Sequence, residues 1–221
     1  MARQLDLEDQ EKLDELKHFW NKNGNLITWV LIAVLGAYAA WNGWHYWQNR
    51  QAVQASALYD EVERAAASGD IARVEQGFHD ARDRFGGTSY AHQAALLAAK
   101  VLAEKGKPQE ARAALQWVAE GASDDGYQAI ARLRLAALLV QDKAYDQALQ
   151  QLSSGLPAEF EPLAADRRGD IYQLLGKKDE ARAEYTKAWK GLGADSEYRG
   201  LVAVKLTALG VDVQQLQGAR T

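Results

Sequence analysis

Hydrophobic positions follow two different patterns along the chain. From Leu26 to Trp44 the chain is almost continuously apolar, with no charged residue and with Thr28 and Asn42 as its clearly polar side chains. A helix over this stretch would be roughly 28 Å long, close to the hydrocarbon thickness of a bilayer. Beyond it, apolar residues recur at intervals of three and four, and alternating strand patterns are absent. The sequence therefore predicts an all-α protein in which a single transmembrane helix precedes a helical domain.

The flanks of the apolar stretch favour a helix that spans the membrane. Aromatic residues at both ends are typical of the headgroup layer; they are Trp29, Trp41, Trp44, Tyr46 and Trp47. A cleaved signal peptide and a buried core helix are the alternatives, and Ala37-Tyr38-Ala39 does resemble a cleavage site. However, the preceding region is long and contains more acids than bases, whereas signal peptides begin short and basic. We therefore predict an uncleaved anchor at 25–47. The acidic tail at 1–24 either docks on a partner or the membrane, or is loosely ordered.

The basic residues beside the anchor predict its orientation. Lys12, Lys17 and Lys22 precede the apolar stretch, and Arg50 follows it. Because basic flanks stay on the cytoplasmic side, this bias places the tail in the cytoplasm and the helical domain across the membrane. The reverse orientation, with a domain that faces the cytoplasm, is the alternative.

Small residues recur along the anchor at intervals that place them on one face of a helix. Such residues let a second helix approach closely; they are Ala33, Gly36, Ala37, Ala40 and Gly43. Small residues are also common in membrane helices that have no specific partner, so both interpretations stay open.

A unit of about 34 residues repeats through the helical domain. Its best copy combines Gly169 and Tyr172, a glycine turn at Gly176, and then Ala181, Tyr185 and Ala188. Two further copies are Ala99, Leu102, Gly106, Ala111, Leu115 and Val118, and Ala136, Leu139, Lys143, Ala148, Leu152 and Gly155. A degraded copy contains Gly69, Val74, Phe78 and Ala81. The pattern resembles the tetratricopeptide repeat, in which two helices pack as a hairpin.

These repeats predict a solenoid of three to four helix pairs over 48–210, followed by a C-terminal tail at 211–221. A final amphipathic helix at about 196–209 is expected to cap the last repeat, with Ser196 before it and Gly210 after it. The first copy has Val74 in place of the usual alanine. Residues 49–67 are therefore either the first helix of a true repeat or an extension of the anchor helix.

The first helices of such repeats line a concave surface that commonly binds proteins. Projecting the pattern predicts a partner-binding groove lined by Gln93, Leu96, Lys100, Ile130, Leu133, Ala137, Val140, Asp166, Asp170 and Gln173. The middle helix, 130–140, is apolar around most of its circumference. A partner, an unfolded segment or simply the neighbouring helices are the alternatives for what covers it.

The remaining motifs argue against an enzyme. The formal net charge is −4 and no basic stripe occurs, so nucleic acid is not an expected partner. There is no cysteine, and His79 and His92 do not have metal-ligand spacing, so we predict no metal and no cofactor. Gly86-Gly87-Thr88-Ser89 lacks the lysine of a phosphate loop and is predicted to be a turn between helices.

The order of an acidic tail, an anchor with outer tryptophans and a repeat domain resembles the YfgM family of bacterial inner-membrane proteins. The residues that carry the resemblance are Asn23-Gly24-Asn25, the aromatic cluster from Trp44 to Trp47, and the segment from Ala52 to Tyr59. The resemblance implies an ancillary subunit of the SecYEG translocon, with a periplasmic domain and the membrane-anchored chaperone PpiD as a partner. It implies no catalytic residue.

We accordingly expect a non-enzymatic, chaperone-like accessory of protein export, whose groove binds unfolded or nascent secreted proteins. The alternative is a membrane-anchored scaffold that binds one folded partner and no unfolded proteins.

Overall fold

The computed structural model describes residues 7–153 and 155–218. It divides into two compact units, Met1–Gln51 and Ala52–Thr221. Residues 1–6 of the predicted tail and residues 219–221 of the predicted C-terminal tail lie outside the described residues. Every regular element in the described part is helical, which confirms the all-α prediction. The helices are α1 (Leu7–Ser68), α2 (Ile71–Phe85), α3 (Ser89–Glu104), α4 (Pro108–Gly121), α5 (Asp125–Gln141), α6 (Tyr145–Ser153), α7 (Glu161–Leu174), α8 (Lys178–Gly191), α9 (Glu197–Ala208) and α10 (Val213–Gly218).

The first unit is formed by the part of α1 that precedes Ala52. Its apolar stretch is exposed: only 6% of the most apolar 18-residue window is buried within the protein, so this is not a core helix. Thr28 Oγ1 donates to Gly24 O (2.8 Å), and Asn42 Nδ2 donates to Tyr38 O (3.0 Å). These bonds satisfy polar donors within the helix itself, as an apolar surrounding requires. Within the described residues this helix is long and apolar enough to cross a membrane.

The second unit is a stack of helix pairs that turn at regular intervals. The pairs are residues 52–68 with α2, α3 with α4, α5 with α6, and α7 with α8; α9 and the short α10 follow. The turn inside each pair and the turn after α9 contain a residue with positive φ, and these residues are Gly69, Gly106, Lys143, Gly176 and Gly210. A backbone N–H then bonds the carbonyl five residues earlier, as Lys107 N does to Leu102 O at 2.8 Å and Ala144 N to Leu139 O at 2.9 Å. This is the Schellman arrangement, and it ends each first helix at the residue that the repeat predicted.

Lys143 is the exception among these turns, because a side chain occupies a left-handed conformation (φ 61°) that glycine adopts freely. Replacing Lys143 with glycine is expected to raise the free energy of unfolding by about 1 kcal/mol, because the Cβ strain of that conformation disappears. Urea unfolding of the full-length protein in detergent, followed by circular dichroism, measures the change.

The reverse change at an equivalent turn is a matched control. Gly106 has φ 77°, and a Cβ placed there meets no atom within 4 Å, so only backbone strain opposes a side chain. Gly106→Lys should therefore destabilise the protein by a similar amount. Equal stability of Lys143→Gly and the wild type would contradict the strain argument.

Small residues lie where the two helices of a pair cross. Val74, Ala111, Ala148 and Ala181, each five residues after a turn, are all fully buried, as the repeat predicted. At Gly169 a Cβ would lie 2.6 Å from the Tyr185 ring, and at Gly77 it would lie 2.6 Å from Val62 Cγ2. The second contact joins α1 to α2. Residues 52–68 therefore pack on α2 as the first helix of the first pair.

The turn between α2 and α3 contains the glycine pair of the sequence. Thr88 caps α3, since its Oγ1 accepts a hydrogen bond from Ala91 N (3.3 Å). The prediction of a turn between helices at Gly86–Ser89 is confirmed.

The core of the stack consists of two clusters of buried side chains. The larger cluster extends from Val62 to Ile171, and the C-terminal cluster extends from Ala165 to Leu206. Helix α7 belongs to both, because Ala164 and Ile171 lie in the larger cluster and Ala165 lies in the other. The junction between the two clusters therefore runs along α7.

Candidate partner-binding groove

The first helices α3 and α5 are covered on every face but one. Between Ala91 and Leu102 of α3, the single exposed residue is Lys100. Between Ala129 and Val140 of α5, the exposed residues are Arg134 and Ala137. Each of these helices is followed by a residue with positive φ. The residues 13, 9, 6 and 2 positions before that residue lie on this face in every first helix from α3 to α9. We call this face the groove stripe. It comprises Gln93, Leu97, Lys100 and Glu104; Ile130, Arg134, Ala137 and Gln141; Leu163, Arg167, Asp170 and Leu174; and, on α9, Glu197, Leu201, Val204 and Ala208.

Polar contacts hold the first helices side by side. Gln93 Nε2 donates to Tyr127 Oη (2.7 Å), and Arg134 Nη1 donates to Leu96 O (3.0 Å), which joins α3 to α5. Helix α5 in turn contacts α7. Lys205 Nζ donates to Asp170 Oδ1 (2.6 Å) and joins α7 to α9. Because neighbouring helices present the same positions, the groove stripe is one continuous surface.

The residues predicted to line the groove differ in how accessible they are. Lys100, Ala137 and Gln173 are exposed; Gln93, Ile130, Leu133, Val140 and Asp170 are half-buried; Leu96 and Asp166 are buried. Leu96 is buried in the larger core cluster, and Asp166 accepts hydrogen bonds from residues of α9. The residues that follow them, Leu97 and Arg167, lie on the groove stripe. The repeat pattern did not predict the other residues of the groove stripe, which include Leu97, Arg134, Arg167, Leu174, Leu201 and Val204.

Asp166 and Asp170 bind α9 to α7. Asp166 is fully buried; its carboxylate accepts hydrogen bonds from Tyr198 Oη (2.6 Å) and Lys205 Nζ (2.7 Å). The hydroxyl of Tyr185 lies 2.7 Å from Asp170 Oδ1. Burial raises the pKa of Tyr198 to about 12, and the hydrogen bond to Asp166 adds to this shift. Burial and the hydrogen bond to Asp170 also raise the pKa of Tyr185. Both phenols therefore stay neutral donors at physiological pH.

The C-terminal end of the groove stripe is apolar and exposed. Leu174 is 59% exposed, Leu201 is 50% exposed and Val204 is 66% exposed. A shallow cavity of about 860 Å³ adjoins Val204 and is lined in part by Ala208 and Val211. A large exposed apolar area on a helical domain is typical of a contact surface.

The small residues of the anchor are not covered by any other described part of the protein. Ala33, Gly36, Ala37, Ala40 and Gly43 are all exposed. A Cβ placed at Gly36 or Gly43 would meet no described atom within 4 Å outside the backbone of its own helix. Packing of a second helix on this face stays a prediction. Among the described residues, no group of three His, Cys, Asp or Glu side chains could hold a metal ion.

A stack of helix pairs with a capping helix, preceded by a helix suited to membrane anchoring, defines a membrane-anchored helical-repeat protein. The family model for the tetratricopeptide repeat-like domain matches residues 17–211, a range that includes the apolar helix. A protein of Neisseria gonorrhoeae named ancillary SecYEG translocon subunit is 31% identical over 207 residues, covering 92% of this chain and 98% of that protein. The protein of the same name from Haemophilus influenzae is 31% identical over 82% of this chain and 89% of its own length. The Escherichia coli protein is 27% identical over 80% of this chain and 85% of its own length.

The chain therefore belongs to the tetratricopeptide repeat-like YfgM family, whose matched members are named ancillary SecYEG translocon subunits. The family resemblance and the repeat fold predicted from the sequence are confirmed. Neither the family description nor the names of the relatives denotes an enzyme.

Proposed function

We propose that this protein is a non-enzymatic accessory subunit of the SecYEG protein-export channel. Residues 25–47 anchor it in the inner membrane, and the groove stripe binds partner proteins or secreted chains that emerge from the channel. The names of its relatives support the association with the channel. A groove held close to the channel exit would meet emerging chains at a high local concentration, so weak and reversible binding is sufficient.

The observation that carries this proposal is the exposed apolar end of the groove stripe. Leu174, Leu201 and Val204 lie on α7 and α9, which neighbour each other in the stack. Exposed leucine and valine at equivalent positions of adjacent helices form a surface that apolar side chains of another protein can cover.

The proposed orientation is type II, with the tail in the cytoplasm and the repeat domain in the periplasm. Lys12, Lys17 and Lys22 on the tail side and Arg50 on the other side support it. The membrane-anchored chaperone PpiD is a further proposed partner.

Protease added to spheroplasts tests the proposed orientation. The protease should digest the repeat domain, and a domain that is protected until the cells are lysed would overturn the orientation.

Photo-crosslinking from Ala137 tests the function. Ala137 lies on the exposed part of the groove stripe, so a photoreactive residue there should leave the fold intact and crosslink to secreted proteins during export. A photoreactive residue at Asp179, whose side chain is 89% exposed at the start of α8, is the control and should give few such crosslinks.

Equal crosslinking of secreted proteins from both positions would contradict the proposed groove. Crosslinking from Ala137 to one folded protein, with no secreted chain, would instead support the scaffold alternative.

A further inference from the structure

We infer that the groove selects segments in which carboxylates precede or follow apolar side chains at a spacing of about three residues. This inference rests on the proposed function and specifies its ligand. The acidic part of the segment would lie across α3, α5 and α7, and its apolar part would lie across α7 and α9.

The charges on the groove stripe change sign along the stack. In the first pair, the equivalent positions carry Asp60 and Glu63, which are both exposed. The next three first helices carry Lys100, Arg134 and Arg167. The whole chain has a net charge of −4, so a row of exposed cations on this face departs from its overall composition.

Two of these cations have no carboxylate partner among the described residues. Lys100 is exposed and makes no hydrogen bond or ion pair within residues 7–153 and 155–218. Arg134 donates to the carbonyl of Leu96, which leaves its positive charge unpaired by any described carboxylate. An incoming carboxylate would therefore gain an ion pair at either position without breaking one.

From α3 to α9 the same surface carries three acids, Glu104, Asp170 and Glu197, and none of them pairs with Lys100 or Arg134 within the described residues. Asp170 Oδ1 is occupied by Lys205 Nζ at 2.6 Å, while Arg167 lies 3.6 Å from Asp170 Oδ2. Glu104 lies at the end of the α3 stripe, one turn after Lys100. From α3 to α7 the groove stripe thus carries three cations and two carboxylates, and Lys205 already pairs with one of these carboxylates, Asp170.

The apolar end adjoins the basic row directly. Leu174 follows Arg167 by seven residues, so both lie on one face of α7. Leu201 and Val204 occupy the equivalent face of α9, which Lys205 joins to α7. Packed helices lie about 8–10 Å apart, a distance that an extended segment covers in about three residues. A ligand that crosses the helices thus meets Arg134, then Arg167, then Leu201, at steps of about three residues.

Labelled peptides in a fluorescence anisotropy titration test the inference. The full-length protein is held in nanodiscs of zwitterionic lipid, so that the membrane contributes no net charge. One peptide carries two glutamates three residues apart and a leucine-phenylalanine pair three residues further on, and the second peptide has lysines in place of the glutamates. We expect the glutamate peptide to bind about tenfold more tightly at low salt, with a difference that shrinks as salt rises.

Charge variants test whether Lys100 and Arg134 cause the preference for the glutamate peptide. Lys100→Glu/Arg134→Glu should reverse the preference between the peptides, and Lys100→Gln/Arg134→Gln, which keeps amide donors at both positions, should abolish it. Lys105→Glu/Lys178→Glu makes the same change of charge at exposed positions off the stripe and should leave the preference unchanged. Circular dichroism of each variant establishes that the helices remain folded.

Equal affinity of the wild type for both peptides, or binding of neither, would overturn the inference. So would a preference that survives in folded Lys100→Glu/Arg134→Glu. None of these outcomes would remove crosslinks from Ala137 to secreted chains. The crosslinking experiment therefore tests the proposed function independently of the peptide preference.

Discussion

Replacing Arg168 with methionine is expected to lower the free energy of unfolding by about 3–5 kcal/mol, the cost typical of removing one partner from a buried ion pair. Only 10% of the Arg168 side chain is exposed. Its Nε donates to Glu184 Oε2 (2.8 Å), its Nη1 donates to Leu152 O (2.7 Å), and its Nη2 donates to Glu161. A single guanidinium thus joins α6, α7 and α8 where the two core clusters meet.

Removing the guanidinium leaves buried groups without their partners. Glu184, whose side chain is 12% exposed, would retain Lys187 alone, and the carbonyl of Leu152 would lose its donor. Because this junction separates the two clusters, α7–α10 should also unfold at lower urea than the rest of the stack. Urea unfolding in detergent, followed by circular dichroism and by tryptophan fluorescence, should therefore give two separated transitions for Arg168→Met and one for the wild type.

Two variants test whether the loss of stability comes from breaking the buried ion pair or from removing an arginine in general. Arg182 is exposed, pairs with Asp179 and donates to Leu209 O, so Arg182→Met should cost at most about 1 kcal/mol. Arg168→Met/Glu184→Leu removes the unpaired carboxylate as well and should recover part of the loss. Losses of equal size in Arg168→Met and Arg182→Met would show that the buried network contributes little.

The pH dependence follows from the carboxylate of this network. Burial opposes the ionisation of Glu184, but hydrogen bonds from Lys187 and Arg168 outweigh it and lower the pKa of Glu184 below its ordinary value of 4.5. The stabilisation is complete above that value and is lost as the pH falls through the lowered pKa of the folded protein. Acid should therefore weaken the wild type more than Arg168→Met/Glu184→Leu, which has no such carboxylate.

The turns of the solenoid were predictable from the sequence because the repeat fixes their backbone. Lys143 stands where the other copies have glycine, yet the repeat alignment identified it as a turn, and the structure gives it the same left-handed conformation. The buried alanines five residues later were equally accessible to sequence reasoning. A small residue at a regular interval marks a helix crossing whatever the neighbouring residues are.

The exposed face of each first helix was harder to predict. Leu96 and Leu97 are adjacent, equally apolar and about 100° apart around α3, but Leu96 is buried while Leu97 is half-buried on the groove stripe. The choice between them depends on how the following pair is placed, which a repeat pattern does not specify. The burial of Arg168 was not predicted either, because a charged residue on a helix is usually solvated. Its flanking Ala164, Ala165 and Gly169 were the available signal that α7 is packed on both sides.

Replacing Asp166 with alanine is expected to destabilise the protein by about 3 kcal/mol and to loosen α9 before the rest of the stack. The Asp166 carboxylate is fully buried and accepts hydrogen bonds from Tyr198 and Lys205. Without it, the Tyr198 hydroxyl has no acceptor, and the largely buried ammonium of Lys205 retains Asp170 as its carboxylate partner. An unpaired buried donor costs more than its hydrogen bond contributed, because the group remains desolvated.

Hydrogen exchange measured by mass spectrometry should show which helices are destabilised by the substitution. In Asp166→Ala, amides of 197–208 should exchange faster, while those of α3 and α4 should be unchanged. Asp179→Ala is the matched control, because that carboxylate is 89% exposed and, in the part of the chain that the structure describes, pairs with Arg182 alone, so its loss should cost about 0.5 kcal/mol or less. Since α9 carries Leu201 and Val204, Asp166→Ala should also weaken binding at the apolar end of the groove. Protection of α9 equal to that in Asp179→Ala would mean that Val202 and Leu206, both fully buried, hold the helix in place without the polar contacts.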